Sequence, residues 1–559
     1  MKKNLRIALA QINCTVGDLE GNCQKIKENI QKAKRYNTDI VVFPELVVCG
    51  YPPEDLLLKP KFIADNLKKL KELSKSIDDI VTVIGFVDTK GKELYNSAAI
   101  IYKGKIRGKY NKIFLPNYGV FDEKRYFTAG SNPYVFKLGE FIFGVNICED
   151  IWHIDGPARI QVKAGAKLIL SINASPYQAG KIREREAIIR KQAKNNHLYI
   201  AYVNLVGGQD ELVFDGQSMV IDNQGRIIAR LAAFKEDLLI TDLELPTSKP
   251  KYPKKVITIA NKLFPKDKLK ISNKKILPLG PLAEIYQALL LGLQDYVMKN
   301  GFTKVVIGLS GGIDSSLVAT LARDALGKEN VMGVFMPSRY SSGESEIDAR
   351  QLVDNLGIKF ITIPIEEIYK AYLETLKPQF QELQTDITEE NIQARIRGNL
   401  LMALSNKFGW LVLATGNKSE MSTGYATLYG DMAGGFAVIK DVPKTLVYKL
   451  AQYRNSLSQV IPERVLTKEP TAELRPNQKD KDTLPDYEIL DRILKAYIEE
   501  DKDLAKILSL GFEQKIVSKV LRMVDRSEYK RRQSPPGIKI TYRAFGKDRR
   551  MPITNRYRW

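Results

Sequence analysis

Lys304-Val305-Val306-Ile307-Gly308-Leu309-Ser310-Gly311-Gly312-Ile313-Asp314-Ser315-Ser316-Leu317 passes from a β-branched apolar run, through a glycine pair, into a helix-forming segment that continues to Leu326. The switch from extended to helical patterning at Gly311-Gly312 reads as strand, tight turn and helix, the opening unit of an α/β domain. Glycines let backbone N–H groups approach an anion closely, and the following helix N-terminus adds partial positive charge, so phosphate is expected at this turn. It is not a Walker A loop, because the lysine of G-x-x-x-x-G-K-[ST] is missing. A plain glycine-rich strand-to-helix turn is the competing reading.

Upstream of this unit lies an apolar helix, residues 281–300, and before it a stretch from Pro246 to Gly280 in which periodicity weakens and Pro and Lys accumulate, as in KPKYPKK and NKLFPKDKLK. That stretch reads as a linker or docking segment. Downstream, Leu411-Val412-Leu413-Ala414-Thr415-Gly416-Asn417-Lys418-Ser419-Glu420 is a second apolar strand ending in polar residues. Ligands bind beyond the carboxyl ends of strands in open α/β sheets, so Asp314 and Glu420 can converge there. Asn391 and Arg395, within Asn391-Ile392-Gln393-Ala394-Arg395-Ile396-Arg397, stand one helical turn apart on one face, which alone reads as a solvated face. No internal repeat is present.

From Leu5 to about Leu245 the chain alternates strand-like runs (LRIALAQI, DIVVFPEL, IVTVIGFV, FIFGVNICED, AKLILSINAS, LYIAYVNLV) with amphipathic helical stretches near 21–35 and 61–76, a first α/β domain with buried strands. Asp222-Asn223-Gln224-Gly225 marks a hairpin turn. Three strings interrupt or follow apolar runs and can meet at one rim of a sheet: Phe43-Pro44-Glu45-Leu46, Lys112-Ile113-Phe114-Leu115-Pro116 and Asn146-Ile147-Cys148-Glu149-Asp150. Histidine is nearly absent, only His153 and His197, so a cysteine nucleophile needs another base. A partly desolvated carboxylate can serve, and a neighbouring ammonium favours thiolate and oxyanion. A lone cysteine at a strand end is otherwise a small buried hydrophobe.

At 559 residues the chain exceeds one core and predicts two large domains. With 44% hydrophobic and 27% charged residues it is neither disordered nor low in complexity. No apolar run is long enough for a membrane span, and polar residues follow the N-terminal apolar stretch too soon for a secretory leader. Four cysteines, all within the first 148 residues and without metal-ligand spacing, fit a reducing compartment and so the cytoplasm. The net charge of +21 points to an anionic partner, yet most of the excess sits in residues 251–280 and 526–559. The C-terminal run from Ser527 to Arg556 interleaves basic and aromatic residues, a pattern shared by nucleic-acid binders and solvated tails.

These strings carry family resemblances. SGGxDS after a buried strand resembles the pyrophosphate loop of the ATP pyrophosphatase superfamily, whose members adenylate a carbonyl or carboxylate oxygen. The trio Glu45, Lys112 and Cys148 resembles the catalytic triad of the nitrilase superfamily. LPNYGVFDEKRYF, ICEDIW, NASPYQAGK, ELVFDGQS, NxQARxR, YGDMAGG and the C-terminal PITNR together look like the glutamine-dependent NAD synthetases, in matching order over nearly the whole chain.

The resemblance implies an α/β fold: an N-terminal αββα nitrilase-like sandwich at 1–245, a basic linker at 246–280, and at 281–559 a doubly wound parallel-sheet domain, adenine nucleotide alpha hydrolase-like, with a basic tail. It implies Glu45 as general base, Lys112 as transition-state stabiliser and Cys148 as nucleophile. Tyr118, Ser175 and Lys181 would contact glutamine. Gly308, Leu309, Ser310, Gly311, Gly312, Ile313, Asp314, Ser315 and Thr415 would bind ATP. Asn391, Glu420 and Lys530 would bind deamido-NAD⁺, and Asp314 and Glu420 would hold Mg²⁺. Lys444 would lie near the reacting phosphates, and Cys49 would be structural. Ammonia from glutamine would pass through a shielded tunnel. The resemblance further implies small-molecule substrates, a homo-oligomer, and neither nucleic acid nor membrane as partner; the basic residues past Lys530 would dock on the acidic 281–525 body or on another subunit. Two other readings are an RNA-modifying pyrophosphate-loop enzyme with a fused amidase, and a nitrilase-like scaffold with a degraded second domain.

Overall fold

The computed structural model describes residues 2–247, 255–263, 268, 270–381 and 383–557. Contacts divide the chain into two compact units, Met1–Gln209 with Val213–Gly280, and Asp210–Leu212 with Pro281–Trp559.

The first unit is built on two sheets. One has the order Asp237–Pro246, Lys2–Gln11, Ile40–Val42, Val81–Lys90, Glu93–Tyr102, Lys105–Asn111. The other has the order Ile227–Arg230, Met219–Ile221, Tyr199–Asn204, Leu168–Asn173, Phe141–Ile147, Val135–Leu138, Val256–Ala260. Side-chain alternation decides the layering. Leu168, Leu170 and Ile172 pack in one core with Leu5, Ile7, Leu9, Val81 and Val83 of the first sheet. Ile169, Ile200 and Tyr202 point the other way, against Ile182, Ile189 and Ala193 of the helix Lys181–Asn196. With the helices Leu19–Arg35 and Pro60–Lys75 adjoining the first sheet, the layers run α, β, β, α. The hairpin at Asp222 forms as expected: its carboxylate accepts from the backbone N–H groups of Gln224 and Arg226, both at 2.9 Å.

Within the basic segment expected as a linker, residues 248–254, 264–267 and 269 lie outside the described residues. Residues 256–260 are not linker but strand, paired in parallel with Val135–Leu138 at a sheet edge. A strand paired on one side only can sit among lysines and prolines, which is why the surrounding composition hid it.

The second unit holds a five-stranded, all-parallel sheet, order Lys359–Thr362, Val331–Phe335, Val305–Leu309, Leu411–Ala414, Phe436–Ala437. Strand order reverses between Val305–Leu309 and Leu411–Ala414, the switch point where such sheets open a crevice for ligands. The basic tail is packed into this unit. Arg531 and Arg549 are buried, Arg531 pairs with Glu528 at 2.8 Å, and Lys539 pairs with Asp548 at 2.6 Å. Thr541 accepts Lys418 Nζ at 2.7 Å and donates to Asp441 at 2.8 Å. Of the two docking surfaces expected for these residues, the described contacts lie on the chain's own body. The terminal PITNR, by contrast, is mostly exposed. No described helix is long and apolar enough to cross a membrane.

Candidate active sites

In the first unit, Glu45, Lys112 and Cys148 each stand just beyond the carboxyl end of a strand, at Val42, Asn111 and Ile147, and all three are buried. Gly85 makes room for the Glu45 turn: a Cβ there would lie 2.4 Å from Pro44 O and Leu46 N. Glu45 is held from three sides. Lys112 Nζ and Asn96 Nδ2 donate to Oε1, each at 2.7 Å, and the Ala174 backbone N–H donates to Oε2 at 2.9 Å. Burial opposes the charge of Lys112, but Glu123 and Glu45 outweigh it and hold its pKa well above the ordinary value. Burial, then the charge of Glu45, pushes the Cys148 thiol up, against the pull of Lys112. Cys148 therefore rests as a thiol. Cys148 has φ +45°, a left-handed conformation that costs a non-glycine residue about 1–3 kcal/mol and here turns the nucleophile out of the strand.

The expected glutamine contacts gather around this trio. Tyr118 OH donates to Glu149 Oε2, next in chain to Cys148, at 2.9 Å. Ser175 follows Ala174, and its N–H donates to Asn204 Oδ1 at 2.9 Å. Lys181 Nζ donates to Pro176 O at 3.3 Å and lies 5.9 Å from the Trp152 ring centroid.

In the second unit, the glycine turn borders a cavity of about 280 Å³ that residues 308–315, Thr415, Glu420 and Lys444 also line. Gly311 has φ +77°, and a Cβ on it would meet Ser345 O at 2.5 Å, so the close approach of backbone to backbone requires glycine. Ser310 Oγ accepts from Gly312 N at 3.2 Å, which shapes the turn. Asp314 reaches in from the first turn of the helix Ile313–Leu326, and Glu420 from the helix Lys418–Thr423. Asn417 caps that second helix, accepting from Glu420 N at 3.0 Å, and donates to Asp314 Oδ1 at 2.9 Å. Burial and the nearby charge of Asp314 push Glu420 up to about 8 despite Lys444. Asn391 and Lys530 are not among the cavity's lining residues. Asn391 accepts from Thr427 Oγ1 at 2.8 Å, and Lys530 donates to Gly424 O and Ala426 O, both at 2.9 Å, so the two brace one turn at the cavity's flank.

Two family models match the chain, carbon-nitrogen hydrolase over residues 6–250 and NAD synthase over residues 285–534. A glutamine-dependent NAD(+) synthetase of Thermotoga maritima is 51% identical, covering 100% of this chain and 99% of its own. The chain belongs to the glutamine-dependent NAD(+) synthetases. The synthetase of Aquifex aeolicus is 50% identical over 99% of this chain and its own full length. The solved structure of the glutamine-dependent NAD⁺ synthetase from Acinetobacter baumannii, in complex with ADP, is 46% identical, with a TM-score of 0.77 and 99% of each chain covered. Nothing among these relatives supports an RNA-modifying enzyme.

Within this synthetase the structure brings in residues to which the sequence assigns no role, although Glu123 and Asp150 lie within the family-like strings LPNYGVFDEKRYF and ICEDIW. Glu123 is buried and accepts from Lys112 Nζ at 2.8 Å and Tyr51 OH at 3.0 Å. Burial and Glu45 push it up to about 7 although Lys112 pulls the other way. Asp150 accepts from the N–H groups of Ile113, Phe114 and Ile147 at 2.9–3.1 Å, tying the Lys112 loop to the Cys148 turn. Asp491 accepts from Thr445 N at 2.9 Å, Thr445 Oγ1 at 2.8 Å and Ser419 Oγ, and so links the helices that carry Lys444 and Glu420.

Proposed function

We propose that the first domain, 1–245, hydrolyses glutamine, that the second, 281–559, makes NAD⁺ from deamido-NAD⁺ with ATP, and that the basic segment 246–280, apart from its strand Val256–Ala260, joins them. The observation that carries this reading is the coexistence, in one chain, of a buried cysteine-glutamate-lysine constellation and a glycine-turn cavity whose lining includes Asp314, Glu420 and Lys444.

In the amidase site Glu45 takes the thiol proton as Cys148 Sγ attacks the carboxamide carbon of glutamine. Lys112 donates to the oxyanion that develops, a charge-assisted bond in a site that excludes water. The proton on Glu45 passes to the leaving nitrogen, ammonia departs, and a water activated by Glu45 hydrolyses the thioester to glutamate. Glu123 keeps Lys112 protonated and aimed. Tyr118, Ser175 and Lys181 hold the amino-acid end of glutamine.

In the synthetase site the nicotinate carboxylate attacks the α-phosphorus of ATP, and pyrophosphate leaves toward the N–H groups of residues 308–315. Ammonia then displaces AMP from the acyl-adenylate to give NAD⁺. Thr415 contacts ATP, and Asn391, Glu420 and Lys530 serve deamido-NAD⁺. Asp314 and Glu420 would hold Mg²⁺. Their carboxylates already converge on one cation, the Lys444 ammonium, in a cavity able to admit phosphate. Among the described residues no group of three or more His, Cys, Asp or Glu is placed to hold a metal, which fits an ion completed by phosphate and water rather than by a protein cage. Mg²⁺ would neutralise phosphate charge. We place the enzyme in the cytoplasm as a homo-oligomer acting on small molecules without nucleic acid.

Supplying ATP, Mg²⁺, deamido-NAD⁺ and either glutamine or ammonium salt tests the division of labour. Cys148→Ala should abolish NAD⁺ formation from glutamine and leave that from ammonium. Loss of both, or persistence of both, refutes it.

A further inference from the structure

Lys444 opens the helix Lys444–Leu457 with its side chain almost wholly buried. Its ammonium pairs with Asp314 and lies 3.4 Å from Glu420 Oε1, so a single cation bridges carboxylates delivered by two other helices. The position is set by backbone. Lys444 N–H donates to Ser419 Oγ at 2.9 Å, Ser419 donates onward to Asp491, and Asp491 also fixes Thr445. The ammonium further faces the Tyr487 ring, 5.4 Å from its centroid, and the charge of Asp480, which itself accepts from Tyr487 OH at 2.8 Å.

The reading of Asp314 and Glu420 as ligands of a divalent cation gives this arrangement a consequence. A bare divalent ion entering between the two carboxylates meets a resident positive charge within a few ångströms, in surroundings where such repulsion is weakly screened. It can enter only if the ammonium moves, and the one further carboxylate it faces, Asp480, is already engaged by Tyr487 OH. A polyphosphate supplies a free anion. Lys444 lines the same cavity as residues 308–315, so a phosphate chain seated on the glycine turn lies within the lysine's own space.

We propose that Lys444 is an exchangeable counter-ion: it holds Asp314 and Glu420 together until metal and polyphosphate arrive as one unit, whereupon the metal takes the carboxylates and the phosphate takes the lysine. The exchange swaps one set of ion pairs for another and leaves no charge uncovered. It makes the site select metal–nucleotide over free metal, a coupling between two ligands that each must help the other bind.

The test uses the full chain without nucleotide, titrated with Mn²⁺, free ion being read from its paramagnetic resonance signal. Lys444→Met should bind Mn²⁺ alone about tenfold or more tightly than wild type, since a like charge is gone from the site. The same variant should bind the preformed Mn²⁺–ATP complex more weakly than wild type. Opposite signs are the signature, because general damage to the site weakens both. Lys444→Gln, closer in shape and polarity, should behave alike and replaces Lys444→Met if that variant does not fold. Equal Mn²⁺ affinity in wild type and variant, or weakening of both ligands together, overturns the proposal. Adding Asp314→Asn to Lys444→Met should erase the gain. If the gain survives, the carboxylates are not the metal ligands, and the exchange falls with that reading; if wild-type and variant affinities are equal and both are lost with Asp314→Asn, only the exchange falls.

Discussion

Replacing Glu123 by glutamine turns a buried electrostatic conflict into a measurable pH dependence. Lys112 Nζ stands 2.7 Å from Glu45 and 2.8 Å from Glu123, so one ammonium faces two carboxylates in a site sealed from solvent. Burial and the charge of Glu45 raise Glu123 from its ordinary 4.5 to about 7. Unfolded, the same side chain releases its proton near 4.5. Between these values the folded chain holds more protons than the unfolded one. The contribution of Glu123 to stability is thus complete at low pH and is lost as pH rises through about 7. The displacement from 4.5 to about 7 is worth about 3 kcal/mol. Glutamine carries no charge at any pH. Its carbonyl oxygen can accept from Lys112 and Tyr51 as Glu123 Oε1 does, while its amide nitrogen stands where Glu123 Oε2 has no hydrogen-bond partner. That unpaired amide costs roughly 1–3 kcal/mol, but equally at all pH. The stability difference, variant minus wild type, should therefore climb by about 3 kcal/mol between about pH 4 and about pH 7.5 and stay flat above that. In melting temperature that is a change of about 5 °C for a unit of this size. Thermal melts of both proteins in matched buffers, followed by circular dichroism, read it directly. An offset that stays flat across the pH range refutes the argument, whatever its sign.

Asp314→Ala should remove NAD⁺ synthesis from glutamine and from ammonium alike, measured by NAD⁺ formation; near-normal ammonium-driven turnover contradicts its place at the reacting phosphates. Asp491→Ala unpins the helices bearing Lys444 and Glu420 and should lower ammonium-driven kcat about tenfold or more, the loss expected when groups drift by about 1 Å, while glutamine hydrolysis persists. Arg531→Met should lower the stability of the second unit by about 3 kcal/mol, because the guanidinium is buried, donates to Ser422 O at 2.7 Å and pairs with Glu528; an unchanged chemical-denaturation midpoint contradicts it.

The amidase trio was legible because each member sits in a short string at the end of an apolar run, and strand ends are where a sheet collects functional groups. Glu123 was not. It lies within the family-like string LPNYGVFDEKRYF, where nothing in the polar run Asp122-Glu123-Lys124-Arg125 singles it out, and its surroundings are Lys112, Tyr51 and Glu45, of which two are more than seventy residues away in sequence. Asp491 was hidden for the same reason: an acid on an amphipathic helix declares its partners only when two other helices close on it. The tail shows the limit of charge counting. Tail residues Arg531 and Lys539, which pair with Glu528 and Asp548, contribute to the +21 in the same way as solvated ones would, and Asp441, the partner of Thr541, lies 100 residues away. The glycine turn was the opposite case, since Gly311 carries its backbone requirement in its own identity.

Both sites repeat one electrostatic device, a buried lysine shared by two carboxylates, and solvent access decides what each does with the leftover negative charge. In the amidase, side-chain exposure is 0% for Lys112, 0% for Glu45 and 6% for Glu123. No cation can enter so closed a cluster, so the surplus is met by a proton, and Glu123 rises to about 7. Such a cluster suits chemistry that moves protons among Cys148, Glu45 and a leaving nitrogen. Around Lys444, which is 3% exposed, Asp314 and Glu420 are 17% and 18% exposed and open onto the cavity. There too the surplus raises a carboxyl, Glu420, to about 8, but the cluster opens onto the cavity, so a divalent ion arriving with phosphate can reach it and take the proton's place. The same triad of charges is a proton site in both places, and only the open one also admits a cation. Widening access to the first cluster, as by Tyr51→Ala, should bring the pKa of Glu123 down toward the ordinary carboxylate range, because water then solvates the charge that burial now penalises. Carbonyl infrared bands of a carboxyl group titrating near neutral pH, present in wild type and absent from Glu123→Gln, should move to lower pH in Tyr51→Ala. A band that stays near neutral pH would mean that the repulsion of Glu45, rather than exclusion of solvent, sets the value.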